Sequence, residues 1–141
     1  MTQAASAPNP LIGTWKLVSF QFETEGSNER RDAYDGHPSG FIIITPDGRL
    51  MALLTAGDRA RDAPRGSLFD RMMAYSGRYR LEGYDRFVVD VDVAWHPAWA
   101  GTEQTRFFKL DGDTLSIITA PVEHPAFPGR RIRGVINWRR E

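Results

Sequence analysis

Three histidines, His37, His96 and His124, each stand directly before a proline, and none has an i, i+4 partner of the kind that holds a metal ion against a helix. Three imidazoles at one mouth could in principle take zinc or a haem iron. A residue before proline is, however, held extended by sterics, which accounts for the His-Pro pairs as turn and packing elements. No metal and no cofactor is expected. The chain contains no cysteine, so disulfides, thiolate metal sites and cysteine nucleophiles are excluded together. No Gly-x-Ser-x-Gly, no phosphate-cradling loop and no dinucleotide fingerprint is present, and catalytic residues are left unassigned. Asp90 and Asp92 could serve as a carboxylate dyad only if they face inward.

These residues must be held by strands. Turn-forming residues at 45–49, 82–85 and 110–113 separate β-rich runs, whereas 24–39, 56–74, 96–102 and 120–130 are too long for tight turns. In an up-and-down antiparallel sheet successive connections fall at opposite ends, so all the long ones share one rim. Eight strands are predicted at about 11–23, 40–45, 49–55, 75–82, 86–95, 103–110, 113–119 and 131–139. One short helix is predicted at 67–75, with Ser67 and Asp70 as an N-cap pair and Leu68, Phe69, Met72 and Met73 at helical spacing. The fold class is therefore all-β, an antiparallel up-and-down barrel of about eight strands with a helix in a long connection at its open end.

Facing follows from the hairpins. A two-residue turn at Asp111-Gly112 pairs Leu110 with Asp113, Phe108 with Leu115, Arg106 with Ile117 and Gln104 with Thr119. Phe108, Leu115, Ile117 and Arg106 then point inward. A three-residue loop, Gly83-Tyr84-Asp85, aligns Tyr75, Tyr79 and Leu81 with Phe87, Val89, Val91 and Val93, and turns Asp90 and Asp92 outward with Arg78 opposite Asp90. Strands 40–45 and 49–55 are apolar on both faces, so their outer face needs cover from the helix or from a second subunit, as in a homodimer.

Composition sets the remaining bounds. At 141 residues the chain suits one domain, over residues 11–141, behind a flexible arm at 1–10. Lys and Arg number 18, as do Asp and Glu, so no net field favours nucleic acid or an anionic membrane. Met1–Pro10 has neither a basic start nor an apolar stretch, and no apolar run approaches the roughly 20 residues of a membrane helix. A cytoplasmic protein is expected.

Leu11-Ile12-Gly13-Thr14-Trp15-Lys16-Leu17, Tyr75-Ser76-Gly77-Arg78-Tyr79 and Gly101-Thr102-Glu103-Gln104-Thr105-Arg106-Phe107-Phe108, followed by Leu110-Asp111-Gly112-Asp113-Thr114-Leu115, resemble in that order the lipocalins and, more closely, the bacterial lipocalin-like domain family. The resemblance runs from Leu11 to Arg139. It implies a barrel whose closed end is plugged by Trp15 and capped by an arginine of the last strand, Arg139 or Arg140 beside Trp138. An arginine over an indole gains a cation–π contact. The resemblance also permits chemistry, since some lipocalin-like proteins are cofactor-free enzymes.

The reading that joins these features is binding of a small, mainly hydrophobic or amphipathic molecule, neutral or acidic, in the barrel cavity. Its site would comprise Arg106 with Gln104 and Thr119 as polar partners, Tyr75, Tyr79, Trp95 and Trp99 as walls of the entrance, and Phe108 and Ile117 beneath. Arg106 either pairs with a rim acid or loop carbonyl, or serves as counter-ion of a carboxylate or enolate. The alternatives are a small cofactor-free isomerase, cyclase or hydratase acting in the same cavity, or an interaction module whose barrel is filled by its own side chains.

Overall fold

Along the strand that follows Gly48, burial alternates: Leu50, Ala52 and Leu54 are inside while Met51 and Leu53 face solvent, as the period of a pleated strand requires. The same alternation recurs around a closed sheet in the computed structural model, which describes residues 9–123 and 128–141. The elements are β1 (Gly13–Thr24), β2 (Arg30–Asp32), β3 (Ser39–Ile44), β4 (Arg49–Thr55), α1 (Arg65–Asp70), β5 (Met72–Leu81), β6 (Arg86–Ala94), β7 (Glu103–Asp111), β8 (Thr114–Thr119), β9 (Val122–Glu123) and β10 (Arg131–Arg140). Eight of them close an antiparallel barrel in the order β1, β3, β4, β5, β6, β7, β8, β10, with β10 returning to β1 from Trp15↔Arg140 to Thr24↔Ile132. Short β2 and β9 extend β1 and β10 at the open rim. The expected all-β, up-and-down barrel is the fold, and no described helix is long and apolar enough to cross a membrane.

Two registers differ from those expected. The turn between β7 and β8 is Gly112-Asp113, with Asp111 opposite Thr114, Leu110 opposite Leu115, Phe108 opposite Ile117 and Arg106 opposite Thr119. Gly112 has φ 58°, the positive value that a type II′ turn places at its first central residue. A slip of two residues keeps every side chain on its expected face. Between β5 and β6 the three-residue loop holds, as Glu82 donates its N–H to Arg86 O and Arg78 lies opposite Asp90. A bulge at Ser76/Gly77 then inserts one residue, so Ser76 meets Val93 and Tyr75 meets Ala94. Val93, expected inward, is consequently 66 % exposed, and Leu81 at the hairpin end is exposed as well.

The helix is shorter and earlier than 67–75. It follows Pro64, its first helical bond runs from Leu68 N to Pro64 O, and neither Ser67 nor Asp70 caps it. Met72 and Met73 instead pair with Thr55 and Leu54 in the sheet, where sheet closure overrides a helical spacing of apolar residues. Nor does α1 cover the outer face of β3 and β4. Phe69 lies against Trp95 and His96, and Phe41, Ile43, Met51 and Leu53 remain 40–53 % exposed.

Asp90 and Asp92 face solvent, paired with Arg80 at 3.2 Å and with Arg49 at 2.8 Å. Hydrogen bonds from Arg49 hold the Asp92 carboxyl below the ordinary carboxylate range. With a folded pKa below the unfolded one, this pair supports the fold above the unfolded value and stops doing so as pH falls through the folded one. Arg49→Ala is therefore expected to raise the Asp92 pKa, which carboxyl NMR titration reads directly.

Candidate functional site

The eight strands surround a cavity of about 1100 Å³ that opens at the rim of long connections. Trp138, Ile42 and Ile117 border it toward the closed end, and Ala52, Leu54 and Ile136 continue its aliphatic wall. These are inward residues of β3, β4, β8 and β10 that the strand period delivers to one space.

An aromatic row descends from the rim. Phe69 of α1 lies 6.2 Å from Trp95, Trp95 is 5.1 Å from Trp99, and Trp99 is 5.2 Å from Tyr75, ring centre to ring centre. At the foot of this row sits Arg106, only 7 % exposed. Its guanidinium carbon lies 6.0 Å from the Tyr75 ring and 5.8 Å from the Trp99 ring. It donates one hydrogen bond, from Nη1 to Thr105 O at 3.1 Å, and no carboxylate among the described residues lies in ion-pair range of it.

Among the residues expected to form the site, Arg106, Gln104, Tyr75, Trp95, Trp99, Ile117 and Thr119 all border this cavity. Two of the polar members already have structural duties. Gln104 Nε2 donates to Thr102 Oγ1, which donates to Trp99 O, so Gln104 braces the loop that carries Trp99. Thr119 Oγ1 accepts the Gly134 N–H at 2.7 Å.

Tyr79 and Phe108 lie elsewhere. Tyr79 points inward but near the short turns, where its hydroxyl accepts from Asn9 Nδ2 and donates to Thr45 O; burial pushes its pKa up. Phe108 packs on Phe87 at 6.0 Å. The residues 9 and 10 of the expected arm are tied down at this closed end, since Arg140 Nη2 also donates to Pro10 O. The arginine over Trp15 is Arg140, at 4.2 Å, and Arg139 is exposed.

Sequence reasoning missed the opposite wall of the mouth. Phe20 and Phe22 on β1 and Tyr34 in the β2–β3 connection border the cavity, with Phe20 edge-on to both rings at 5.4 and 5.3 Å. Trp15, Leu17, Phe20 and Phe22 follow a period of two broken once, by the bulge at Leu17/Ser19, so a search for two phased runs would have found them. Tyr34 and Asp35 have φ of 54° and 57°, a left-handed conformation that costs a non-glycine residue roughly 1–2 kcal/mol and that no local pattern announces. Asp35 accepts the Gly57 N–H, which ties this turn to the next loop. Burial raises the Tyr34 pKa, opposed by the positive charges of Arg71 and Arg59.

His37 and His96 stand exposed in the rim connections, with His96 Nδ1 accepting the Ala98 N–H, and His124 lies outside the described residues. Among the described residues no group of three metal-ligating side chains comes together. The isomerase, cyclase or hydratase reading would have drawn its base from an inward Asp90 or Asp92; both point outward.

No curated protein matches the sequence. Two solved structures are similar in outline: a redesigned β-barrel, 15% identical with a TM-score of 0.44 over 93% of this chain and 91% of that one, and an uncharacterized protein from Bacteroides eggerthii DSM 20697, 13% identical with a TM-score of 0.44 over 92% and 98%. Neither informs the site at that distance. A lipocalin-like domain model, by contrast, matches residues 12–141, nearly the whole chain. With a closed eight-stranded barrel and an open internal cavity behind that match, the chain belongs to the lipocalin-like domain family.

Proposed function

We propose that the protein binds a small, mainly apolar molecule inside the barrel. The cavity itself carries this reading: about 1100 Å³, walled largely by aliphatic and aromatic side chains and open at one rim, is room for one ligand of drug-like size. A barrel filled by its own side chains would leave no such space. Polar and charged side chains border the same space, among them Asp35, Asp70, Arg71, Glu103 and Arg106, where they can orient a ligand whose bulk is buried.

Ala52 offers the test. It is buried on β4 between Ile42 of β3 and Tyr75 of β5 and borders the cavity. Ala52→Trp is expected to fill space rather than displace packed atoms, so thermal stability should be kept or raised while binding of the neutral fluorophore N-phenylnaphthylamine falls at least about 30-fold, the order expected when roughly 2 kcal/mol of apolar contact is lost. A folded Ala52→Trp protein that binds the fluorophore as the parent does would place the site outside the barrel.

A further inference from the structure

Among the described residues Arg106 is the buried charge on the cavity wall, and an apolar ligand does not explain it. It is buried among aromatic rings on the wall of the cavity, and among the described residues one of its five N–H donors is engaged, by the carbonyl of the adjacent Thr105. Of the four acids that border the cavity, Asp32 accepts from Gln21, Asp35 accepts the Gly57 N–H, Glu103 pairs with Arg80 at 3.2 Å, and Asp70 of α1 forms no ion pair with Arg106. A buried guanidinium without a carboxylate partner opposes folding unless a later partner is supplied. Its geometry selects that partner, because the planar fork presents two parallel N–H groups to a carboxylate or similar oxyanion.

The surroundings select the rest of the ligand. Tyr75 and Trp99 pack against each other beside the guanidinium, and Trp95 and Phe69 continue their row to the rim. Aromatic faces of this kind favour offset stacking with a flat π-system. We propose that the ligand is an organic acid with a flat, aromatic or conjugated body, its anionic group held by Arg106 beside the Tyr75–Trp99 ring pair. This inference rests on the cavity-binding reading and adds to it the charge and shape of the ligand.

Two probes that share one ring framework separate the two ideas: anilinonaphthalene sulfonate, which carries an anion, and neutral N-phenylnaphthylamine. The parent protein is expected to bind the sulfonate about 10- to 100-fold more tightly, the span of a charge-assisted hydrogen-bonded contact. Arg106→Met should remove that preference while changing the neutral probe less than about 2-fold, and Arg106→Lys should keep part of it as a point charge without the fork. Arg106→Met should also melt at or above the parent temperature without ligand, because it removes an unpaired buried charge. Equal weakening of both probes in a folded Arg106→Met, or no anion preference in the parent, would overturn the counter-ion role alone. Loss of fold in both variants would make Arg106 a structural cation and overturn it too. Failure of the parent to bind either probe would instead remove the cavity reading underneath.

Discussion

Alanine at position 77 is expected to destabilise the barrel by about 3 kcal/mol or more, at or beyond the upper end of ordinary overpacking. A Cβ there would lie 2.0 Å from Asp90 O, 2.7 Å from Asp90 C and 2.9 Å from Val91 Cα. These are backbone atoms of the paired strand, so no side-chain rotation relieves the clash. Gly77 stands where the β5–β6 register shifts and Asp92 becomes the extra residue. Forcing the strands apart there would disturb the bulge, and with it the path of β6 into the loop that carries Trp95 and Trp99. Two other glycines calibrate the effect. Gly66 in α1 has nothing within 4 Å, so Gly66→Ala should be neutral or gain up to about 1 kcal/mol from helix propensity. Gly112 has equal room but φ 58°, so Gly112→Ala should lose roughly 1–2 kcal/mol to the left-handed backbone. Denaturant titration of the three variants should rank them Gly77, Gly112, Gly66 from worst to best; a Gly77→Ala protein as stable as Gly66→Ala would show that β5 and β6 can part freely.

That glycine marks where the sequence was hard to read. Side-chain facing on β7 and β8 was legible because alternation survives a two-residue slip: Leu115 and Ile117 are inside whether Leu110 faces Asp113 or Leu115. A bulge breaks the same logic, since one inserted residue reverses every position beyond it. Val93 was lost to the Ser76/Gly77 bulge, and Phe20 and Phe22 to the one at Leu17/Ser19. Tyr79 and Phe108 failed differently. Their inward facing was right but their height was wrong, because period two gives the face and only the distance from a turn gives the end. Both sit a few residues from a short turn, so their place near the closed end was available in the sequence. Met72 and Met73 show a third cause, in which helical spacing and strand pairing compete and the partner at Leu54 and Thr55 decides. Arg106, Trp95, Trp99 and Tyr75 were legible because all four lie near long connections and on inward-facing or rim positions.

Trp15→Ala is expected to cost about 3–5 kcal/mol, as removal of a fully buried large aromatic does, and that is a large share of the roughly 5–15 kcal/mol that holds a domain of this kind together. Trp15 is fully buried, and its indole Nε1 donates to Leu11 O at 3.0 Å. Above it the Arg140 guanidinium lies 4.2 Å from the ring while donating to Ile12 O at 2.9 Å and to Pro10 O at 2.8 Å. Gly13 belongs to the same device, since a Cβ there would lie 2.7 Å from Arg140 Nη1. Because Trp15 and Arg140 are strand neighbours across the β1–β10 seam, the stack closes the barrel where its last strand meets its first. Trp15→Phe keeps a ring but loses the hydrogen bond and should cost about 1–2 kcal/mol, the scale of a buried carbonyl left unpaired. Arg140→Ala should cost a similar amount through its lost backbone contacts. The double variant Trp15→Ala/Arg140→Ala then measures the stack itself: denaturation should show it less destabilised than the sum of the single changes by about 0.5–2 kcal/mol. Single changes that simply add would mean that ring and guanidinium share space without attraction, and the closed end would then depend on Gly13, the indole hydrogen bond and strand pairing.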